Sequence, residues 1–386
     1  MTQPGPTPGS TPPSTHRRAF LTGGLVGTAA GLSGAAYAGA LRRERPGAGT
    51  STTATGGRVE WRLASSFPAN LDTIYGAAEV LAERVAAMTD GAFVVRPYQA
   101  GEIVAGLEVL DSVQSGSVEV GQTAGYYYIG KHPALAFDTC VPFGFTPRQQ
   151  NAWLLEAGGL ELVRRVYADF GILSFPCGNT GAQMGGWFRR TVDSLDDLQG
   201  LIMRIPGLGG KAMASLGVSV KNLPGGDILP ALERGAIDAC EWVGPYDDEK
   251  LGLHKLAEHY YYPGWWEPGP SLSFLVNRRA WEGLPAAYRE IFTAASQEAA
   301  AAMQTRYDAK NPAAFQRLKE YGIDVRPFSE DVLEAAREAS DALMEDEAAK
   351  DATYRKILEH WRAFRERSFR WFSTAELTYA SFAWPG

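Results

Sequence analysis

The residues best suited to chemistry in this chain are Arg204 and the pair Glu241 and Trp242. Arg204 lies near the end of an apolar run, residues 201–207, which predicts a buried strand that stops at a Pro-Gly turn. A guanidinium at such a strand end offers a planar fork of donors that matches a carboxylate. Glu241 and Trp242 follow residues 231–240, which predict a helix end, a glycine stop and a short strand. These residues favour the enclosure of a small carboxylate and a cation without reaction. For Arg204 the alternative is an ordinary ion pair at a surface strand end.

Three further features extend this set of candidates. Gln183 lies in a glycine-dense segment, residues 179–186, where the chain either approaches a ligand closely or simply turns. Glu267 lies in a loop rich in proline and aromatic residues, and its carboxylate is either a structural acid or a ligand. The tyrosines at 126–128 follow a glycine and either line a cleft or pack in a core.

The elements that must position these residues alternate between strand and helix. Strands are predicted at residues 59–65, 93–98 and 118–121, with helices at 72–88 and 106–115 between them. The alternation recurs from residue 171 to 242 with predicted strands at 173–175, 185–188, 201–205, 219–223 and 236–241 and predicted helices at 194–200, 210–216 and 228–234. This order predicts α/β layers with parallel strand pairing.

The last third of the chain turns helical after one more predicted strand, residues 271–277. Pro285 predicts the start of a long helix, and Pro312 predicts its interruption. Further along, large apolar side chains share one helical face, which either packs on the protein's own lobes or forms a homodimer through the C-terminal helix. These side chains are Leu358, Trp361, Phe364, Trp371 and Phe372.

Length and charge narrow the function classes. The 386 residues, 45% of them hydrophobic, suffice for two domains at about 150 residues each. A net charge of −7 without a basic cluster argues against nucleic acid as a partner. An acidic protein that binds an anion must build a local positive site, which raises the interest of an inward-pointing Arg204.

The N-terminal residues predict export. Arg17 and Arg18 are followed by a weakly apolar stretch that contains Phe20 and Leu21, so residues 1–40 resemble a twin-arginine export signal. Residues 36–38 match the small-x-small pattern of a cleavage site. The alternative is an uncleaved membrane anchor over residues 21–41, although its glycine content makes a poor spanning helix.

Enzyme signals are present but weak. Residues 207–212 match the G-x-G-x-x-A dinucleotide pattern, and Asp227 lies near the spacing of a ribose-binding acid, which suggests an exported NAD(P)-type oxidoreductase using Gly207–Gly210. Pro206 opposes the tight turn that this pattern needs. The three cysteines are far apart and predict small buried side chains, and the five histidines lack zinc-site spacing.

Three segments together resemble the solute-binding subunits of tripartite ATP-independent periplasmic (TRAP) transporters. They are residues 194–206, 223–228 and 231–242. The similarity runs from about Trp61 to the C-terminus. The tyrosine-rich residues 124–128 and the loop 260–267 look most like the branch that binds 2-oxo acids and related hydroxy acids with a metal ion.

This resemblance implies an α/β, two-lobed periplasmic-binding-protein fold with long C-terminal helices. Such a protein is not an enzyme; it closes by hinge motion in the periplasm and delivers a small organic carboxylate to the transporter's membrane subunits. The expected order is the export signal 1–40, a flexible linker 41–57, lobe I 58–178 completed by about 270–310, lobe II 179–269 and a helical segment 311–386.

The resemblance also implies two sets of site residues. Expected substrate contacts are Gln183, Arg204, Glu241 and Tyr127, with Arg204 gripping the carboxylate bidentately. Expected metal ligands are Glu241, Trp242 through its backbone carbonyl, Glu267 and Gln183. Two ionised glutamates, one arginine and a monocarboxylate leave an excess of two negative charges, which Na⁺ would halve and Ca²⁺ would cancel.

Overall fold

The computed structural model describes residues 58–384, which fold as α/β structure around two β-sheets. The strands are β1 Val59–Ser65, β2 Phe93–Tyr98, β3 Val120–Thr123, β4 Ile172–Asn179, β5 Trp187–Phe188, β6 Ile202–Arg204, β7 Ser219–Lys221, β8 Ala239–Cys240, β9 His259–Tyr262, β10 Ser271–Asn277 and β11 Asp324–Pro327. The α-helices are α1 Gly76–Met88, α2 Val109–Ser115, α3 Ala136–Thr139, α4 Pro147–Leu155, α5 Gly159–Ala168, α6 Gly207–Ser215, α7 Gly225–Glu233, α8 Pro245–Leu251, α9 Arg278–Glu282, α10 Ala286–Glu320, α11 Glu330–Lys350, α12 Ala352–Phe372 and α13 Thr378–Ala383.

The first sheet has the strand order β2-β1-β3-β10-β4. β1 pairs in parallel with β2 and β3, whereas β10 runs antiparallel to β3 and β4. In β1, Trp61 and Leu63 point into the core while Glu60 and Arg62 stay exposed, the alternation expected of a strand. The predicted parallel pairing of the first three strands is therefore confirmed.

The second sheet has the strand order β11-β9-β5-β8-β6-β7, and several of its strands have only two or three residues. β6 pairs in parallel with both β7 and β8. The helix predicted at 194–200 is a 3₁₀ turn at Leu195–Leu198, begun by a capping box at Ser194. Strand β11 lies within the mostly helical segment 311–386 and joins this sheet next to β9.

The chain crosses between the sheets three times. It leaves the first sheet after β4, returns after β9 and crosses again between α10 and β11. Residues 180–186 form the first crossing and residues 263–270 the second. These two connections lie side by side, since Gly264 donates its backbone N–H to the carbonyl of Gln183 at 3.1 Å.

Helix α10 contradicts one prediction. Pro312 lies inside this 35-residue helix and does not interrupt it. A proline in a helix interior removes one backbone hydrogen bond at a cost of about 3 kcal/mol. Here Met303 and Tyr307 before it, and Ala314 and Leu318 after it, are all buried, and this tertiary packing keeps the helix continuous.

The apolar face of α12 packs largely on the protein itself. Leu358 and Trp361 are buried, and the Trp361 ring lies 5.0 Å from Phe145 and 6.2 Å from Phe137. Further along the same helix, Trp371 is 64% exposed. One end of the predicted face is therefore internal and the other faces solvent.

The predicted export signal, linker and anchor alternative all fall in residues 1–57, outside the described part of the chain. Within residues 58–384, no helix combines the length and hydropathy that crossing a bilayer requires.

Candidate functional site

Arg204 and Glu241 are neighbours because their strands run in parallel. β6 ends at Arg204 and pairs with β8, which Glu241 follows directly. The Glu241 backbone N–H donates to the Arg204 carbonyl at 3.2 Å, so both side chains emerge at the same edge of the second sheet. The carboxyl ends of parallel strands are where ligands bind in open α/β sheets.

Arg204 is only 1% exposed, so the alternative of a surface ion pair is wrong. Its Nε donates to the Leu223 carbonyl at 2.9 Å, and Nη1 donates to the Glu241 carbonyl at 3.0 Å and to the Glu241 carboxylate. The guanidinium lies 5.2 Å from the centre of the Trp242 ring. Among residues 58–384, its Nη2 has no hydrogen-bond partner.

Gln183 and Glu267 come from the two adjacent connections between the sheets. The Gln183 backbone N–H donates to the Glu267 carbonyl at 3.3 Å. The Gln183 side-chain Nε2 donates to Thr180 Oγ1 at 2.9 Å, and its Oε1 is buried without a partner in the described residues. Both side chains are buried, at 6% and 3% exposure. Two loops far apart in sequence thus meet beside the strand ends.

The three consecutive tyrosines take different positions. Tyr126 is buried, and its hydroxyl donates to Glu267 Oε2 at 3.4 Å. Tyr127 is partly buried and lies close to Arg204, whose positive charge opposes the rise in the Tyr127 pKa. The Tyr128 hydroxyl forms its hydrogen bonds within the first lobe instead. It lies 3.0 Å from Thr123 Oγ1 and accepts from the Leu110 N–H at 3.2 Å. Tyr126 therefore belongs to the cluster, although only Tyr127 was expected to contact the substrate.

Burial dominates the protonation of this cluster. It raises the pKa of Glu241 to about 7 against the lowering effect of Arg204. Burial also raises the pKa of Glu267 well above its usual range, and the nearby negative charge of Glu241 raises it further. The pKa of Tyr127 rises to about 12, again chiefly because of burial. Two carboxylates in one enclosed space therefore favour an added positive charge or a proton.

The unpaired atoms indicate what fits here. Gln183 Oε1 and Glu241 Oε2 are acceptors and Arg204 Nη2 is a donor, and all three are buried without partners in residues 58–384. Two free acceptor oxygens beside Glu267 suit a hard cation, and a free guanidinium N–H suits a carboxylate. No group of three or more His, Cys, Asp or Glu side chains with metal-binding geometry occurs in the described chain, so a cation site would also need amide and carbonyl oxygens.

The glycines of the dinucleotide-like pattern have a packing role. Gly207 adopts a left-handed φ of 67°, and an added Cβ there would lie 3.2 Å from the Tyr126 side chain. At Gly209 an added Cβ would come within 2.5 Å of Trp266 Cβ. These residues bring the start of α6 close to aromatic side chains at the candidate site, so the glycine pattern is explained without a bound phosphate.

The cysteines are buried as predicted. Cys140, Cys177 and Cys240 are free, and burial raises the pKa of each thiol well above its usual range. A protonated buried thiol is a poor nucleophile.

The chain is similar in sequence and fold to known proteins. Residues 64–351 match the family described as bacterial extracellular solute-binding protein, family 7. A monocarboxylate 2-oxoacid-binding periplasmic protein of Nostoc sp. is 54% identical over 325 residues, which cover 84% of this chain and 89% of that protein.

Two solved structures confirm the two-lobed fold. A TRAP transporter solute-binding protein from Bordetella bronchiseptica RB50 has a TM-score of 0.84 and 44% identity, covering 85% of this chain and 97% of its own. It is a mixed-occupancy dimer with copurified calcium and picolinate. A TRAP periplasmic solute-binding protein from Pseudoalteromonas atlantica T6c, with bound sodium and pyruvate, has a TM-score of 0.82 and 40% identity, covering 84% of this chain and 99% of its own.

Proposed function

Because this chain belongs to family 7 of the bacterial extracellular solute-binding proteins, we propose that it captures a 2-oxo or hydroxy monocarboxylate with a cation and delivers it to TRAP membrane subunits. The observation that carries this proposal is one buried cluster in which a guanidinium N–H and two acceptor oxygens have no hydrogen-bond partner among residues 58–384. Like its family and relatives, the protein is a binding protein of the periplasm and not an enzyme.

Arg204 supplies the grip on the carboxylate. Its Nε and Nη1 are already held by Leu223 and Glu241, so the guanidinium is fixed before a ligand arrives and Nη2 remains to donate. Such preorganisation lowers the entropy lost on binding. Tyr127 beside Arg204 and the amide of Gln183 complete the polar contacts that we assign to the substrate, with Glu241 close by.

The cation would be held by Glu241, Glu267, the side-chain oxygen of Gln183 and the backbone carbonyl of Trp242. All four are oxygen donors, the set that Na⁺ and Ca²⁺ prefer. When bound, the cation neutralises the negative charge that the two glutamates and the substrate share. The solved structures from Bordetella bronchiseptica and Pseudoalteromonas atlantica contain calcium and sodium, respectively, which supports either identity here.

Calorimetric titration with pyruvate tests this function. We expect tight binding in the presence of Na⁺ or Ca²⁺ and markedly weaker binding after treatment with a chelator in sodium-free buffer. Unchanged affinity without these cations would remove the metal from the proposal. A thermal-shift panel of C3 to C6 oxo, hydroxy and dicarboxylic acids would identify the substrate, and stabilisation by dicarboxylates alone would contradict the monocarboxylate class.

We assign hinge closure to the lobes expected from the sequence, with lobe I at 58–178 and about 270–310, lobe II at 179–269 and a helical segment at 311–386. The two crossing loops that carry Gln183 and Glu267 connect the sheets, so ligand binding at these loops stabilises the closed arrangement.

A homodimer through the C-terminal helix is the second part of the proposal. The end of the chain exposes large apolar side chains, and three of them, Leu377, Tyr379 and Trp384, line a groove of about 840 Å³ that also includes the start of α4. The exposed side chains are Trp371, Leu377, Tyr379, Phe382 and Trp384. Contiguous apolar surface of this kind marks association sites, and the Bordetella bronchiseptica relative is a dimer.

Light scattering should give a dimer mass for the mature protein and a monomer mass after truncation at residue 373. A monomer mass in both cases would refute the dimer.

Export by the twin-arginine route is the third part, supported by Arg17 and Arg18 before a weakly apolar stretch. Replacing both arginines by lysine should leave the protein in the cytoplasm. Undiminished periplasmic protein would exclude this route.

A further inference from the structure

Asp248 is a fully buried carboxylate directly behind the candidate site. It lies in α8, is 1% exposed and accepts four hydrogen bonds. Its Oδ1 receives the backbone N–H groups of Val243 at 3.2 Å and Gly244 at 3.1 Å. Its Oδ2 receives Trp187 Nε1 at 3.0 Å and the Tyr260 hydroxyl at 2.6 Å.

These donors connect the site to the second sheet. Val243 and Gly244 immediately follow Glu241 and Trp242, whereas Trp187 lies in β5 and Tyr260 in β9. The Trp187 and Tyr260 rings stack at 4.0 Å with an interplanar angle of 17°. Asp248 thus binds the backbone of the site segment with one oxygen and the rigid aromatic pair with the other.

We propose that Asp248 is the positioning residue that fixes segment 241–244, and with it the Glu241 carboxylate and Trp242 carbonyl, for cation and substrate binding. This inference rests on the proposed function. Glu241 and Trp242 follow a two-residue strand, β8. Beyond Cys240 the pairing with β6 extends only to the Glu241 N–H, which donates to the Arg204 carbonyl, so residues 242–244 depend on contacts outside the ladder. A side chain held within about 0.5 Å needs such external support, because looser placement costs affinity.

Only a carboxylate can accept hydrogen bonds from all four of these donors. Both oxygens accept, so donors can approach from both sides. In Asp248→Asn the amide NH2 must face either the two backbone N–H groups or the Trp187 and Tyr260 donors. One pair therefore loses its acceptor, and a buried donor left unpaired is costly.

The test compares Asp248→Asn with Asp138→Asn. Asp138 is also fully buried, but its hydrogen bond comes from the Tyr167 hydroxyl at 2.8 Å, and it accepts none from segment 241–244. We expect Asp248→Asn to weaken pyruvate binding at saturating Na⁺ or Ca²⁺ at least about tenfold, roughly the value of one charged hydrogen bond. It should also raise the cation concentration needed for half-maximal binding. Asp138→Asn should lower the melting temperature but change both binding values by less than about twofold.

Tyr260→Phe provides the second variant in case Asp248→Asn does not fold. It removes one donor to Oδ2 without adding an amide, and we expect a smaller loss of affinity, about threefold to fivefold. Wild-type affinity and cation dependence in every foldable variant of Asp248 and Tyr260 would overturn the proposal.

Amide hydrogen exchange separates this inference from the proposed function. If the wild-type protein binds no monocarboxylate with either cation, the proposed function fails. The anchoring is then judged by exchange at Val243 and Gly244 in the ligand-free protein. Protection lost in Asp248→Asn and kept in Asp138→Asn supports the anchor, whereas equal protection in both overturns it.

Discussion

At the residue scale, the cluster consists of charges that the protein has removed from water. Arg204 and Glu241 form an ion pair with 1% and 0% of their side chains exposed. Burial of such a pair is expensive unless the remaining hydrogen-bonding atoms are also satisfied. Here Arg204 Nη2 and Glu241 Oε2 lack partners in residues 58–384. The ion pair alone therefore leaves two buried polar atoms without hydrogen bonds, and a bound ligand and cation would satisfy them.

We predict that Arg204→Lys weakens pyruvate binding by roughly 1.5–3 kcal/mol, the scale of a charged hydrogen bond. Lysine keeps the charge, but one ammonium cannot contact Leu223, Glu241 and a carboxylate in the same arrangement. Calorimetry measures the loss, and a melting temperature measured without ligand shows whether the fold is retained. Wild-type affinity would reject the role of the planar fork.

Cation affinity should rise with pH between about 5 and 8. Burial raises the pKa of Glu241 from 4.5 to about 7, so below that pH a proton competes with the cation for the same oxygen. The ligand-free folded protein binds this proton more tightly than the unfolded chain does. Its free energy of unfolding therefore contains a contribution that is fully present below pH 4.5 and is lost as the pH rises through 7. Calorimetric titration of Ca²⁺ across this range checks the prediction, and a flat profile would contradict it.

At the element scale, short strands position the site residues, and long helices pack around the sheets. β6 and β8 have three and two residues, yet their parallel pairing is enough to bring Arg204 and Glu241 to one edge. Helix α12 adds stability to the first lobe because its inner side packs on Phe137 and Phe145.

The two tryptophans of α12 should therefore differ in their contribution to stability. Trp361→Ala removes a ring that is 3% exposed and should lower the free energy of unfolding by about 3–5 kcal/mol. Trp371→Ala removes one that is 64% exposed and should change the monomer's stability by less than about 0.5 kcal/mol. Chemical denaturation of the monomeric truncated protein measures both, and equal effects would refute the assignment of the two faces.

At the scale of the whole molecule, polar contacts hold together segments that belong to different sheets. Asp72, after β1, accepts from the Tyr246 hydroxyl of α8 at 3.0 and 3.1 Å and from Lys310 Nζ of α10 at 2.8 Å. Lys250 of α8 forms a further ion pair with the same carboxylate. Nearby, the rings of Phe67 and Trp242 meet at 6.3 Å beside the candidate site.

Asp72→Asn should weaken substrate binding by about twofold to fivefold at low salt, because these contacts would favour a closed arrangement but are partly exposed. The difference from wild type should shrink as salt increases. Glu60→Gln is the matched control, since Glu60 pairs with Arg96 within the first sheet alone. Equal affinity of the Asp72 variant at low salt would exclude a role in closure.

Much of the fold follows from local sequence patterns. Alternating apolar residues predict β1, and β10 occupies the predicted residues 271–277, because side-chain periodicity depends only on which face is buried. Pro312 shows the limit of such reasoning. Its local effect opposes a helix, yet packing of the residues on either side maintains α10.

The chemistry available at the site is readable from the chain: a strand-end arginine, a glutamate after a short strand and a second glutamate in a rigid loop. Which of these groups meet depends on the folded structure. The choice between Tyr126, Tyr127 and Tyr128 depends on the turn after β3, and the meeting of Gln183 with Glu267 depends on two adjacent crossings between sheets. Such contacts join residues far apart in the chain, and no local periodicity encodes them. Burial, and with it the raised pKa values of both glutamates, likewise exists only once the lobes are assembled.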